Sequence, residues 1–292
     1  MRKLLAAFLL TSLLAGCGAP SGETVQEAPV SQESETSTIL LSNMSDQETF
    51  DEVADTLKKV LHSDSVDRFM EYVKEYNDTM AKANLHEGFK FIAQPEYDEV
   101  VLDDLWKTRH DDFIGTNCRI NAYLLLKQDI QIDAPQGDDE ILVMDLDADK
   151  QGEIFSEEEL EAFKTLFSAT ETKPSVDPAV HGKIMEEFWK DMTFNDNARL
   201  ISVVIHDDLD GDQLFVGHSG VLVPDEEGYL FVEKLSFLEP YQAIKFKTVE
   251  DCYEYLYTKY EHYSDETTSK PFIMNNGKFV ELDEYRHDLE KE

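Results

Sequence analysis

Leu214-Phe215-Val216-Gly217-His218-Ser219-Gly220-Val221-Leu222-Val223, then Pro224-Asp225-Glu226-Glu227-Gly228, then Tyr229-Leu230-Phe231-Val232-Glu233-Lys234-Leu235-Ser236-Phe237, is the stretch that decides the fold. Two runs rich in β-branched and aromatic residues flank a loop of turn formers, which is the signature of an antiparallel hairpin. Residues 200–205 upstream form another apolar, β-branched run, and residues 243–246 supply a further strand. Residues 272–274 and 278–282, joined through Asn275-Asn276-Gly277, read as a last hairpin with Asn-Gly as its turn. Thr248 and Asp251 cap a helix to about residue 262, with Val249, Cys252, Tyr253 and Leu256 on its buried face.

Toward the N-terminus the period changes from two to 3.6. Ser45 and Glu48 form a capping-box pattern that opens a helix to about residue 62, carrying Phe50, Val53 and Leu57 on one face. Further helices are expected over 64–80, around Leu102, Leu105 and Trp106, and over 116–127, 156–167 and 178–192. Helices first and antiparallel strands later indicate an α+β fold.

The chain has 292 residues and a net charge of −36, from 62 acidic and 26 basic side chains. Such a surface repels nucleic acid, so no nucleic-acid partner is expected. The 11% aromatic content and the apolar runs still provide for a core. Arg2 and Lys3 followed by an apolar stretch over 4–14 read as a signal peptide, too short to remain as a membrane span. Leu14-Ala15-Gly16-Cys17 resembles the lipobox of bacterial lipoproteins. That resemblance implies cleavage after residue 16, a diacylglyceryl thioether on Cys17 and an extracytoplasmic, membrane-anchored protein. Each acyl methylene buried in a bilayer adds about 0.8 kcal/mol. Residues 17–43 are rich in Ser, Thr, Glu, Gln and Pro and read as a disordered tether, leaving 44–292 as one α+β domain.

Cys118 and Cys252 are the remaining cysteines. Phe113-Ile114-Gly115-Thr116-Asn117-Cys118-Arg119-Ile120-Asn121 leads a thiol into a helix N-terminus, where free amides and the dipole favour a thiolate. The Cys118 amide could also donate to an oxyanion. His218 lies among Gly217, Ser219 and Gly220, which leave room beside it. Glu233, on the strand face of Phe231 and Leu235, needs a polar partner if buried. A four-residue hairpin loop pairs Glu233 with His218, and a five-residue loop pairs it with Ser219. For Cys118 itself a small core residue and a disulfide to Cys252 stand beside the nucleophile reading.

A helix-start Cys followed by a strand His and a polar residue on the next strand resembles the papain-like superfamily, in the order of the NlpC-type cell-wall peptidases and amidases. The resemblance implies Cys118 as nucleophile, His218 as base and Glu233 as the group that orients it. In this chain Asn117-Cys118-Arg119 stands where that group commonly has Asp-Cys-Ser. Gly115 to Asn121, with Glu239-Pro240-Tyr241-Gln242-Ala243, is also similar to a family of uncharacterised lipoproteins of low-GC Gram-positive bacteria, which implies a Gram-positive envelope.

Asp147-Ala148-Asp149-Lys150-Gln151-Gly152-Glu153-Ile154 resembles the first part of an EF-hand loop. Asp147, Asp149, Gln151, Glu153 and, at the final acidic position, Glu158 would be calcium ligands. Residues 141–144 before it read as a strand. The acidic run 207–212 reads as a connection between strands. Two functions follow. One is an envelope thiol hydrolase or acyltransferase acting on an amide or ester such as a cell-wall peptide, with no cofactor required. The other is a non-catalytic surface lipoprotein that binds a ligand, an envelope protein or calcium. A transporter's solute receptor ranks lowest, since two α/β lobes are lacking.

Overall fold

A computed structural model describes residues 39–283 apart from 82, 84, 93, 94, 111, 134–136 and 139. The expected signal peptide over 1–16, the lipidation residue Cys17 and residues 18–38 of the expected tether lie outside the described residues. In chain order the elements are β1 (Ile39–Ser42), α1 (Gln47–Lys58), α2 (Ser63–Thr79), β2 (Lys90–Ile92), α3 (Glu99–Lys107), α4 (Cys118–Leu126) and β3 (Gln131–Ile132). Then come α5 (Val143–Gly152), α6 (Glu157–Phe167), β4 (Thr170–Glu171), α7 (Pro178–Phe188), β5 (Met192–Thr193) and β6 (Arg199–Asp207). The chain continues through β7 (Gln213–Asp225), β8 (Gly228–Lys234), β9 (Tyr241–Phe246), α8 (Val249–Tyr260), β10 (Phe272–Asn275) and β11 (Lys278–Phe279).

The fold is α+β, as the sequence indicates. A nine-stranded antiparallel sheet runs β11-β10-β6-β7-β8-β9-β1-β2, with β4 on β7. Helix α4 packs on β7, β8 and α2, and α8 on β6, β9 and β10. Apart from Arg119, every residue of α4 is buried, and its composition fits a helix enclosed on all sides. The capping boxes Ser156–Glu159 and Thr248–Asp251 start α6 and α8. Helix α1 starts one residue later than Ser45 would set it, because the Asp46 carboxylate accepts the Thr49 N–H at 3.0 Å.

Four further expectations are corrected. The tether does not extend to residue 43: Ile39 and Leu41 are buried, and β1 pairs with both β9 and β2. A short apolar run after a polar stretch gains two ladders of hydrogen bonds, which its composition alone does not reveal. Residues 141–144 are not a strand, since Leu142 precedes α5 and Val143 begins it. The β7–β8 turn is only Glu226-Glu227, with Asp225 paired to Gly228, so Glu233 faces Gly220 in the ladder and neither anticipated register holds.

The EF-hand reading fails for the same reason as the strand. Asp147, Asp149 and Gln151 lie within α5, where side chains spiral around an axis instead of converging. Asp149 accepts the Phe155 N–H at 2.8 Å, Glu153 is the left-handed cap of α5, and Glu158 lies in α6. Among the described residues no group of three or more His, Cys, Asp or Glu side chains is arranged to hold a metal ion.

Candidate active site

The loop before α4 is fixed from three sides. Trp106 Nε1 donates to the Phe113 carbonyl at 2.7 Å. Gly115 has φ +89°, and a Cβ there would lie 3.3 Å from the Trp106 ring and 3.5 Å from the Phe237 carbonyl, so both conformation and space call for glycine. Thr116 Oγ1 lies 2.8 Å from the Tyr241 hydroxyl and accepts from Asn121 Nδ2 at 2.8 Å. Asn117 then caps α4 by accepting the Ile120 N–H at 3.0 Å.

Arg119 pins this helix start to the sheet. Its Nε and Nη2 donate to Asp145 Oδ1 and Oδ2 at 3.0 and 2.6 Å, and its Nη1 donates to the Val216 carbonyl at 2.9 Å. Asn117 Nδ2 also donates to Asp145 Oδ1, at 2.8 Å. A buried carboxylate on α5 therefore ties Asn117 and Arg119 together, and the guanidinium carries the tie to β7.

On β7 the register with β6 shifts between Val203 and Val204, so Gly217 is an extra residue beside Ile205. The bulge re-aims the following side chain. His218 Nε2 lies 2.5 Å from Glu233 Oε2, and the ring lies close enough to the Cys118 thiol for each to shift the other's ionisation. With Nε2 committed to Glu233, Nδ1 is the nitrogen left for sulfur. The Ser219 amide also favours the charged form of the Cys118 sulfur. Glu233 Oε1 accepts from the Tyr255 hydroxyl at 2.9 Å and from Lys259 Nζ at 3.3 Å.

The electrostatics agree with an ion pair. Burial pushes the Cys118 thiol up, but the His218 charge and hydrogen bond, Arg119 and the Ser219 amide outweigh it and bring it below its ordinary value. Burial opposes the His218 imidazolium, yet Cys118 and Glu233 raise it to about 9. Burial would raise Glu233, and Lys259, His218 and Tyr255 instead hold it at about 2. A thiol lowered beside a raised imidazole is shifted in the direction that activates sulfur. As the first residue of α4, Cys118 also has an N–H without an intrahelical acceptor.

The three residues singled out from sequence are thus brought together. The supporting ones were not legible. Tyr255 and Lys259, four apart on α8, present a hydroxyl and an ammonium to Glu233, and Asp145 directly follows a segment read as a strand. Cys252 is a free thiol, fully buried and pushed well above its ordinary value by that burial, and Cys118 is free as well, so no disulfide joins them. Lys234 is also buried: its Nζ donates to the carbonyls of Ser236, Phe237 and Glu239 and lies 4.3 Å from the Tyr76 ring centroid, which holds the segment beside Gly115.

Fold and site define an α+β protein with a buried Cys–His–Glu relay between a helix start and two sheet strands. The chain belongs to the family DUF4300, described as a domain of unknown function, which matches residues 40–280 and so includes all three relay residues. It has no match among curated proteins and none among solved structures.

Proposed function

We propose that this chain is a lipid-anchored thiol hydrolase or acyltransferase of the cell envelope, acting on an amide or ester such as a cell-wall peptide. The observation that carries the reading is the meeting of three side chains: His218 bonded to Glu233 at 2.5 Å, with the Cys118 thiol close enough for thiol and imidazole to shift each other's ionisation. The Cys118 thiolate attacks the acyl carbon, and the carbonyl oxygen draws on the helix-start amide. The His218 imidazolium protonates the leaving amine or alcohol as the carbon–heteroatom bond breaks. His218 then takes a proton from water, or from a second acceptor nucleophile, which displaces the thiolate from the thioester. Glu233 stays ionised and holds the ring in position. The lipid anchor and extracytoplasmic location rest on Leu14-Ala15-Gly16-Cys17 and its charged, apolar approach.

The test is intact-mass analysis after incubation with nitrophenyl esters of short acyl-peptides. An adduct of the acyl mass on wild type, removed by hydroxylamine and absent from Cys118→Ala, supports the reading. Equal adducts on both proteins contradict it.

A second reading has one observation in its favour. Cys118 and His218 are only 6% and 1% exposed. A relay sealed in this way also suits a structural polar knot inside a surface lipoprotein that binds a ligand or partner elsewhere. That reading expects Cys118→Ala to leave the cellular phenotype intact.

A further inference from the structure

An acyl carbon must come within bonding distance of sulfur, so whatever covers the Cys118–His218 pair has to move if the pair reacts. Most of its surroundings are tied down. Glu233 has three hydrogen-bond partners, the nucleophile loop is held through Asp145 and Arg119, and Lys234 secures the segment beside Gly115.

Tyr260 is different. Its ring lies on the imidazole of His218, with centroids 4.9 Å apart and planes 24° from parallel. The ring therefore lies over the His218 member of the pair. It is the last residue of α8 and is partly exposed. Residues 261–271 after it contain neither helix nor strand. The other contacts of the ring are face contacts: Tyr263 at 6.0 Å between centroids, and Lys259 Nζ at 5.6 Å from the centroid. A half-buried ring at a helix end, held by stacking, leaves at less cost than one inside a helix.

We propose that Tyr260 is a gate: its ring closes the site over His218 when no substrate is bound, and turns out at the C-terminal end of α8, with Lys259 staying on Glu233, to admit an acyl group to Cys118. The gate rests on the reading of Cys118 as a nucleophile, and it adds a regulated opening to that reading. It also accounts for a relay that is charged and yet sealed.

The test is the rate of Cys118 alkylation by iodoacetamide at one pH, resolved by peptide mass, in the full chain as wild type, Tyr260→Phe and Tyr260→Ala. Cys252, fully buried, reports unfolding in the same sample. The gate predicts that Tyr260→Ala raises Cys118 labelling at least tenfold while Cys252 stays unlabelled, and that Tyr260→Phe, which keeps the ring, stays within threefold of wild type. Should the Ala variant lose its fold, Tyr260→Leu takes its place with the same expectation. Unchanged Cys118 labelling without the ring, or Cys252 labelled in step with Cys118, overturns the gate. Failure of the nucleophile reading is a separate result, seen as loss of the His218 dependence of labelling at low pH in every variant.

Discussion

His218 Nε2 lies 2.5 Å from Glu233 Oε2, although the ladder partner of Glu233 is Gly220. The two side chains meet on a diagonal across β7 and β8, a reach open to long side chains on one sheet face. Gly220 lies between them on that face and has no side chain to intervene. The space beside it is filled by Phe231, whose ring would be 2.3 Å from a Cβ at residue 220.

Gly220→Ala should therefore disturb the relay through packing alone. The Phe231 ring and the Val232 carbonyl, 2.8 Å from the added Cβ, must both shift. The expected cost is about 1–3 kcal/mol, measured by denaturant unfolding, together with slower Cys118 alkylation.

Lys259→Met should act on the acid side. Among the groups that favour the ionised form of Glu233, Lys259 is the leading one. A carboxyl held at about 2 contributes stability that is present above its unfolded value of 4.5 and is lost as pH falls through about 2. Without Lys259 the folded value rises, so the loss still sets in near 4.5 but is smaller and complete at a higher pH. Between pH 5 and 2 the melting temperature of the variant should fall less than that of wild type and level off about half a pH unit sooner. At pH 7 the change should stay under about 1 kcal/mol, because the Lys259 side chain is 29% exposed and the pair is screened.

Asp145→Ala should be more damaging. Asp145 accepts from Asn117 and twice from Arg119, and its side chain is fully buried. Removing it leaves a largely buried guanidinium without its carboxylate, at a cost of about 3 kcal/mol in denaturant unfolding. The same variant frees the start of α4 from β7, so Cys118 labelling should lose its dependence on His218.

The sheet hairpins, α2, α6, α8 and the Cys118–His218–Glu233 grouping were legible in the sequence because each carries a local signal. The signals are a period of two or 3.6, a capping box, an Asn-Gly turn, and a polar residue on an apolar strand. The β7–β8 register was not legible. Pro224 and Asp225 look like turn residues yet remain in the strand, and a one-residue difference in loop length re-pairs the whole ladder. Nor was α5, where Asp147 and Asp149 read as loop chemistry although Leu142 and Ala148 bury beneath it. β1 escaped because its stability comes from β9, some two hundred residues away. Tyr255, Lys259 and Tyr260 were hidden for a related reason. Tyr255 and Lys259 lie at the flank of the apolar stripe of α8 and Tyr260 at its end, and only the sheet opposite gives them partners.

The pH dependence of Cys118 alkylation, in wild type and in His218→Ala, tests the central claim most directly. The His218 imidazolium persists to about pH 9, and the thiol beside it ionises below its ordinary value of 9.0. The account predicts labelling of wild-type Cys118 that continues well below pH 8. In His218→Ala the labelling should retreat to alkaline pH, because burial then acts on the thiol with less to oppose it. Wild-type labelling confined to alkaline pH, or a profile unchanged by loss of His218, would contradict the account and leave Cys118 a core residue.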